Sequence, residues 1–320
     1  MQRRQFGATV LAGATALGFP YLARAQGKVI RVIVPFTAGS GSDEGARFYA
    51  ELISKSLGRS VVVENKPGAS GLIAVRTVLA EPADGNTILL GSNSLIAVNP
   101  VMVKNLGYDP FKELVPLHGL AISAAAFVTS NESPFRSIAD VVARYKASGK
   151  PISVGNYSEG YRLVGEWLAQ ETDIQVTAVP YKGGAPMVTD LVGNRLDIAL
   201  NDITGIAQMA KANKLRVLAI TGGTRDRLLP ETPTMKELGY AGFESYVWSS
   251  FSMKAGTPVD KMKELAAAIS AAQATDAAKA YQARRAGTFL TKSLGELGEF
   301  QRSEYQRFKR VAEKAKIQPA

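Results

Sequence analysis

The chain has 320 residues, of which 46% are hydrophobic, so it is long enough for one large or two medium domains with a full core. It contains no cysteine, which excludes disulfides, thiolate metal sites and cysteine nucleophiles. Its single histidine argues against histidine triads and multi-histidine metal centres. The formal net charge is +10 at pH 7, but the lysines and arginines are dispersed among acids, which does not indicate a nucleic-acid-binding surface.

The first 25 residues have the pattern of an export signal. A basic start at Arg3 and Arg4 precedes an uncharged stretch at residues 7–23, and the segment ends in Ala-Arg-Ala at Ala25. We therefore expect cleavage after Ala25 and a periplasmic mature protein. No transmembrane helix is expected, because no later apolar run reaches about 18 residues. The paired arginines fit either a twin-arginine signal or an ordinary Sec signal.

The first predicted strand, residues 29–34, leads through a loop of small residues into a helix predicted at residues 45–57. Such a turn directs backbone N–H groups and the positive end of the helix dipole at one point, which favours an anion. Glu44 occupies a position where a dinucleotide-binding fingerprint requires glycine, so we do not expect a pyrophosphate there. Ser40 and Asp43 also fit an ordinary capped helix start, which is the alternative interpretation.

Along the rest of the chain, short β-branched runs alternate with amphipathic segments, which predicts an α/β fold with a mainly parallel sheet. The further predicted strands are residues 60–64, 87–90, 125–129, 152–155, 176–179, 197–200, 217–220 and 247–251. Most of them end in small or turn-forming residues, and ligands bind outside such carboxyl ends in open α/β sheets. His118 lies in an apolar run and is expected to be a structural strand residue.

Two helical regions, residues 260–284 and 293–316, are predicted to close the chain. Ser293 and Glu296 fit a capping box at the start of the second region. Neither region contains a pattern that indicates a ligand.

Motifs along the chain resemble, in the same order, those of the Bug family. This family comprises the extracytoplasmic solute receptors of tripartite tricarboxylate transporters. The motifs are VPFTAGSGSD at 34–43, VENKPGASG at 63–71, ADGNTILL at 83–90, YKGGAP at 181–186, DLVGNRLD at 190–197, KLRVLAIT at 214–221, PETPT at 230–234 and KAGTP at 254–258. The resemblance implies an α/β, type II periplasmic-binding-protein fold, in which two α/β lobes are joined by two crossing strands with a ligand cleft between them. Lobe 1 would comprise residues 26–125 and 251–320, and lobe 2 residues 126–250, with crossings near residues 125–129 and 247–253.

The resemblance also implies that an acid group is held mainly by backbone amides, hydroxyls and water, with no cofactor or metal. This suits reversible binding, because no buried counter-charge is left unpaired on release. Lobe 1 would supply Thr37, Ala38, Gly39, Ser40, Gly41, Ser42, Asn93 and Ser94, and lobe 2 would supply Asn156, Tyr157, Ser158, Tyr181, Lys182, Gly183, Asn201 and Asp202. Taken singly, these positions are also explained as ordinary turn and capping residues. Asp202 is alternatively expected to orient an ammonium or hydroxyl group of the solute.

Residues 152–166 depart from the family pattern, which has a Gly/Ser-rich loop and a following histidine there. We therefore regard Tyr157, Tyr161 and Arg162 as candidates for solute selectivity, favouring an aromatic group or a second carboxylate. For Arg162, a position on a solvated helix face is the alternative.

The function expected from the resemblance is that of a periplasmic receptor. It would capture a small organic carboxylate between two lobes and deliver it to a tripartite tricarboxylate-type membrane transporter, without enzymatic activity. We expect a monomer whose partners are that solute and the transporter subunits, and no nucleic acid. One alternative is a carboxylate-sensing protein that signals to a sensor kinase. An exported hydrolase is the other, and His118 is poorly placed to serve it.

Overall fold

The computed structural model describes residues 28–319 and shows a mixed α/β fold. The predicted export signal and its cleavage site after Ala25 lie outside these residues. Within the described range, no helix is long and apolar enough to cross a membrane.

Ten strands of the described part of the chain form one curled sheet. They are β1 (Ile30–Val34), β2 (Val61–Asn65), β3 (Thr87–Ser92), β4 (Leu114–Ser130), β5 (Ile152–Asn156), β6 (Val176–Pro180), β7 (Ile198–Asp202), β8 (Leu215–Ile220), β9 (Tyr246–Lys254) and β10 (Thr288–Phe289). The strand order is β2-β1-β3-β9-β4-β7-β5-β6, and β8 and β10 also pair with β4. Every predicted strand is found, but β4 extends far beyond the predicted residues 125–129.

Strand β4 is 17 residues long and belongs to both halves of the sheet. Its residues 114–124 pair with β9, whereas its residues 125–130 pair with β7 and β8. We call β1–β3, β9, β10 and the first part of β4 the first half, and β5–β8 with the rest of β4 the second half. The chain returns at Ser245, whose N–H donates to the Thr221 carbonyl at 2.8 Å, just before β9 begins. The described chain therefore crosses between the halves twice.

The expectation of a mainly parallel sheet is wrong for the centre of the sheet. Among these ten strands, parallel pairs are confined to β1 with β2 and β3, and to β5 with β6 and β7. β4 and β9 pair antiparallel with all their neighbours, because one carries the chain into the second half and the other carries it back. A βαβ pattern predicts parallel pairing, and this prediction holds only for the outer strands. β4 and β9 run from one half to the other, so they are not joined to a parallel neighbour by a crossover helix.

Helices cover both faces of the sheet. They are α1 (Gly41–Leu57), α2 (Leu72–Ala80), α3 (Asn99–Met102), α4 (Pro110–Glu113), α5 (Ile138–Ser148), α6 (Glu159–Thr172), α7 (Gly184–Val192), α8 (Ile203–Lys211), α9 (Val259–Ala274), α10 (Asp276–Ala283) and α11 (Leu294–Lys314). In β1, Val32 packs in the cluster that contains Ile53 of α1 and Ile269 of α9, while Ile33 packs with Val75 of α2 on the opposite face. This alternation explains why β1 is apolar at almost every position.

The C-terminal helices differ from the prediction in two respects. The predicted helix at residues 260–284 is two helices, because Thr275 leaves the helical conformation and its hydroxyl accepts a hydrogen bond from the Ala278 N–H to cap α10. The predicted capping box at Ser293 is wrong. Ser293 precedes α11 but its side chain makes no capping hydrogen bond, and its backbone instead forms a β-bridge with His118.

His118 is fully buried in β4, in keeping with its apolar run. Its Nδ1 lies 2.5 Å from the Gly119 carbonyl oxygen, and its Nε2 lies 2.8 Å from Ser270 Oγ. Burial lowers the pKa of the imidazole, which is therefore neutral at physiological pH. The Nε2 contact links β4 to α9, whereas the Nδ1 contact lies within β4 itself.

Gly287 provides a test of the packing between the loop after α10 and β4. Its φ is +70°, and a Cβ there would overlap the Ile122 carbonyl oxygen. We expect Gly287→Ala to lower the free energy of unfolding by about 2 kcal/mol or more, because the backbone is strained and β4 must move. Urea denaturation measures the change. The control is Gly295→Ala in the first turn of α11, where nothing lies within 4 Å. Equal stability of the two variants would contradict this packing.

Candidate functional site

A cleft of about 750 Å³ lies where the carboxyl ends of strands from both halves meet. This volume is typical of small-molecule sites. The first half contributes the segments after β1 and β3, and the second half contributes those after β5, β6 and β7. Fifteen of the predicted residues line the cleft: Thr37, Ala38, Gly39, Ser40, Gly41, Ser42, Asn93, Ser94, Tyr157, Ser158, Tyr161, Lys182, Gly183, Asn201 and Asp202.

Three predicted site residues do not line the cleft: Asn156, Tyr181 and Arg162. The Asn156 side chain is buried, with Nδ2 3.5 Å from the Val179 carbonyl oxygen. The Tyr181 hydroxyl donates to an Asp190 carboxylate oxygen at 2.9 Å. The Arg162 guanidinium binds two acids of its own helix, Glu159 at 3.1 Å and Glu166 at 2.9 Å. Because local partners occupy these side chains, the structure gives no support to solute contact by them.

The loop before α1 is held by its own hydrogen bonds, which changes the expected set of donors. The Gly39 N–H donates to Asp43 Oδ2 at 2.9 Å, and the Ser40 N–H donates to the Thr37 carbonyl at 3.2 Å. The Ser40 hydroxyl accepts from the Asp43 N–H at 3.2 Å as the N-cap of α1. Within residues 28–319, no acceptor lies in hydrogen-bond reach of the N–H groups of Gly41 and Ser42. These two, at the positive end of α1, are available to a solute.

Asp43 fixes this loop. Its carboxylate is 3% exposed and accepts from Arg47 Nε at 3.1 Å and from Asn65 Nδ2 at 2.9 Å, in addition to Gly39. Burial acts to raise the pKa of this carboxyl, but the hydrogen bonds from Arg47, Gly39 and Asn65 outweigh it, so the pKa lies below its usual value. The start of α1 is thus capped as the alternative interpretation of the sequence expects, while the N–H groups of Gly41 and Ser42 have no partner within residues 28–319.

Asn93 and Ser94 form the second element of the first half in the cleft, at the end of β3. Each is 7% exposed. Directly opposite stands Gly160 of α6, where an added Cβ would lie 2.7 Å from Ser94 Oγ and 3.0 Å from Asn93 Nδ2. The two halves therefore meet at this edge of the cleft, and a side chain at residue 160 would separate them.

A hydrogen-bonded cluster forms the wall of the second half. The Tyr157 hydroxyl lies 3.2 Å from the Tyr161 hydroxyl, 3.1 Å from Asn201 Oδ1 and 3.2 Å from Asp202 Oδ2. Burial, together with the nearby Asp202 charge, raises the pKa values of both tyrosines. Both phenols are therefore protonated donors at neutral pH. Asp202 also caps α8, accepting from the Gly205 N–H at 2.8 Å.

Sequence reasoning missed the wall formed by the end of α10 and the loop after it. Tyr281 and Arg285 line the cleft, and Arg285 Nη2 donates to the Gly41 carbonyl at 3.1 Å. Arg285 and Gly41 are 244 positions apart in the chain. No local pattern in an Ala-rich, charged helix signals such a contact. Among the described residues, no group of three or more potential metal-ligating side chains is found.

The sequence model of the family described as "Tripartite tricarboxylate transporter family receptor" matches residues 46–317. The chain belongs to this receptor family. BugT of Bordetella pertussis is 31% identical over 231 residues, which cover 71% of each chain. The solved structure of R. palustris Rpa4515 with adipate is 29% identical, with a TM-score of 0.86, and covers 92% of this chain and 99% of Rpa4515. The periplasmic binding protein BugD is 28% identical, with a TM-score of 0.84, and covers 91% and 99%.

The predicted membership of the Bug family and the predicted periplasmic-binding-protein fold are thereby confirmed. Receptors of this family are solute-binding proteins rather than enzymes, and BugD is a periplasmic one. The cleft of this receptor lies between the two halves of its sheet.

Asp43→Asn tests whether the buried carboxylate holds the loop of the receptor. Because the folded-state pKa is lowered, Asp43 stabilises the fold above about pH 4 and loses this effect as the pH falls further. We expect a loss of about 1 to 2 kcal/mol at pH 7 that shrinks towards pH 3, measured by urea denaturation at several pH values. Asp260→Asn, an exposed acid in the first turn of α9, is the control. A loss independent of pH would contradict the role.

Proposed function

We propose that the receptor binds a small organic carboxylate in this cleft and delivers it to the membrane subunits of a tripartite tricarboxylate-type transporter. The observation that carries the proposal is the start of α1, where Gly41 and Ser42 line the cleft and their N–H groups have no acceptor among residues 28–319. A carboxylate is the natural partner of such a helix start. The adipate in Rpa4515, a relative of similar fold, supports this class of solute.

Apart from the charged side chains, among them Lys182, Asp202 and Arg285, the polar groups that line the cleft suit a solute that must also leave. Asn93 and Ser94 of the first half and Ser158, Gly183 and Asn201 of the second are neutral. Neutral groups bind a carboxylate without leaving an unpaired buried charge on release. Asp202 would orient a hydroxyl or ammonium group where the solute has one.

We infer the boundaries of the two lobes from the pairing of the strands. The partners of β4 change between Ala124 and Ala125, which supports a boundary near residue 125. Since β9 pairs with the first half from Tyr246 onwards, we infer a second crossing just before Tyr246, earlier than residues 247–253. A solute that contacts both lobes shifts the equilibrium between open and closed forms towards the closed one.

The proposal includes export, a monomeric state and the absence of turnover. The export signal at residues 1–25 would direct the chain to the periplasm, where BugD is found. Signalling to a sensor kinase would use the same cleft and closure. Co-purification of the solute-loaded receptor with transporter subunits, rather than with a sensor ectodomain, distinguishes the two partners.

Thermal denaturation of ligand-stripped receptor tests the proposal. The panel comprises succinate, glutarate, adipate and citrate, with butyrate, hexanoate and benzoate as monocarboxylates and adipamide as an uncharged control. A solute at about 100 times its Kd stabilises the folded state by about 2.7 kcal/mol, which raises the melting temperature by several degrees. We expect a shift with at least one acid and none with adipamide. No shift with any acid would contradict the proposal.

Asn93→Asp tests the donors of the first half. The variant replaces a buried neutral side chain with a carboxylate, which repels the bound acid. We expect at least a tenfold weaker affinity by isothermal titration calorimetry. Asn194→Asp is the matched control, since Asn194 follows α7 outside the cleft and its positive φ of 54° is tolerated by Asp. Equal effects of the two variants would remove Asn93 from the site.

The selectivity candidates are separated by comparing Tyr157→Phe with Arg162→Gln. The first removes a hydroxyl that lies against Asn201 and Asp202 in the cleft wall. The second removes contacts to Glu159 and Glu166 alone. We expect Tyr157→Phe to change the ratio of affinities across the acid panel severalfold, and Arg162→Gln to leave it unchanged. An unchanged ratio in both Tyr157→Phe and Tyr161→Phe would exclude the tyrosines from selectivity.

A further inference from the structure

Arg285 brings a positive charge to the start of α1. Its guanidinium donates to the Gly41 carbonyl at 3.1 Å and lies 3.4 Å from Glu44 Oε2. The side chain is 20% exposed, whereas that of Glu44 is 61% exposed. The guanidinium also lies over the ring of Tyr281, 5.0 Å from its centroid. An arginine stacked in this way keeps N–H groups free at its edge.

The backbone around Arg285 is bound by the second half of the protein. Arg227 donates to the Arg285 carbonyl and, at 2.8 Å, to the Gln282 carbonyl. The Ala286 N–H donates to Thr204 Oγ1 at 2.9 Å, and the Gly287 N–H donates to Asp226 Oδ2 at 3.0 Å. The main chain of this loop is therefore bonded to the second half immediately before β10 joins the first half, and the side chain of Arg285 also reaches the first half.

Several donors converge on the same end of the cleft. The guanidinium lies against Gly41, one of the two residues with a free N–H: Arg285 Nη2 donates to the Gly41 carbonyl, and a Cβ added at Gly41 would lie 3.2 Å from Nη2. The Tyr281 hydroxyl is buried there and has no hydrogen-bond partner within residues 28–319. A carboxylate at the start of α1 would lie within reach of backbone N–H groups and of a cation. Glu44 is then a mobile competitor for that cation, since it is exposed and its contact is long.

We propose that Arg285 is a ligand-binding residue that pairs with the carboxylate of the solute at the start of α1, in place of Glu44. This inference rests on the proposed function, because it adds a charged donor to the same cleft. It departs from capture by neutral groups alone. Since the loop of Arg285 is bonded to the second half, the ion pair also links the acid group to both halves.

The test compares four variants with the wild-type receptor, using the acid that gives the largest thermal shift in the panel and calorimetry at 20 and 300 mM salt. We expect Arg285→Gln to weaken binding about tenfold and to reduce the dependence of Kd on salt. Arg285→Lys keeps the charge and should retain the salt dependence while weakening binding less. Arg284→Gln, the adjacent exposed residue, is the charge-matched control and should match the wild type.

Glu44→Gln separates a binding role from a structural one. Removing the competitor should tighten binding severalfold at low salt, whereas a merely structural ion pair would make Glu44→Gln and Arg285→Gln weaken binding alike. The melting temperatures of the solute-free variants show whether each remains folded. A Kd of Arg285→Gln within twofold of the wild type would overturn the inference while leaving the proposed function intact. If the wild type binds no acid of the panel, both fail together.

Discussion

The organisation of this receptor depends on one strand that changes partners midway. β4 pairs with β9 up to Ala124 and with β7 and β8 from Ala125 onwards, so a continuous hydrogen-bonded ladder runs through both halves. Leu120, Ala121 and Ser123 of this strand form part of the cleft floor. Because the floor is made by the connection itself, any change in the angle between the halves also changes the shape of the cleft.

The cleft combines rigid parts with groups left free for a solute. Asp43 uses its two oxygens to order the loop before α1, and this order does not require a bound acid. Affinity is gained when a site is arranged before binding, since less conformational entropy is lost. Among the described residues, the free groups include the N–H groups of Gly41 and Ser42, the buried amide of Asn93 and the hydroxyls of Ser94 and Tyr281. Arg285 joins them from the other end of the chain.

The parts of this structure that could be predicted are those encoded locally. The strand–loop–helix turn at residues 34–43, the polar ends of the outer strands and the order of the family motifs led to the cleft and to fifteen of its lining residues. The length of β4 could not be predicted, because Pro116 and Gly119 suggest an interrupted strand. The structure accommodates both through register shifts against β9.

Long-range contacts and side-chain competition account for the rest. Arg285 meets Gly41 from 244 residues away, and no sequence pattern signals that pair. Tyr181 follows β6 and Arg162 lies in the first turn of α6, as the sequence predicts. Their side chains nevertheless bind nearby acids, Asp190 for Tyr181 and Glu159 and Glu166 for Arg162, and do not line the cleft. The free N–H of Gly39 expected from the turn is taken by Asp43, which the sequence indicated only as a favourable first-turn residue.

The central claim is that an acid group binds at the start of α1 between the two halves. A crystal structure of the receptor with its tightest-binding acid tests it most directly. The account predicts one carboxylate oxygen within hydrogen-bond distance of the Gly41 or Ser42 N–H, and the carboxylate within reach of the Arg285 guanidinium. An acid group bound elsewhere in the cleft, for instance against Lys182, with only water at the start of α1, would contradict the account.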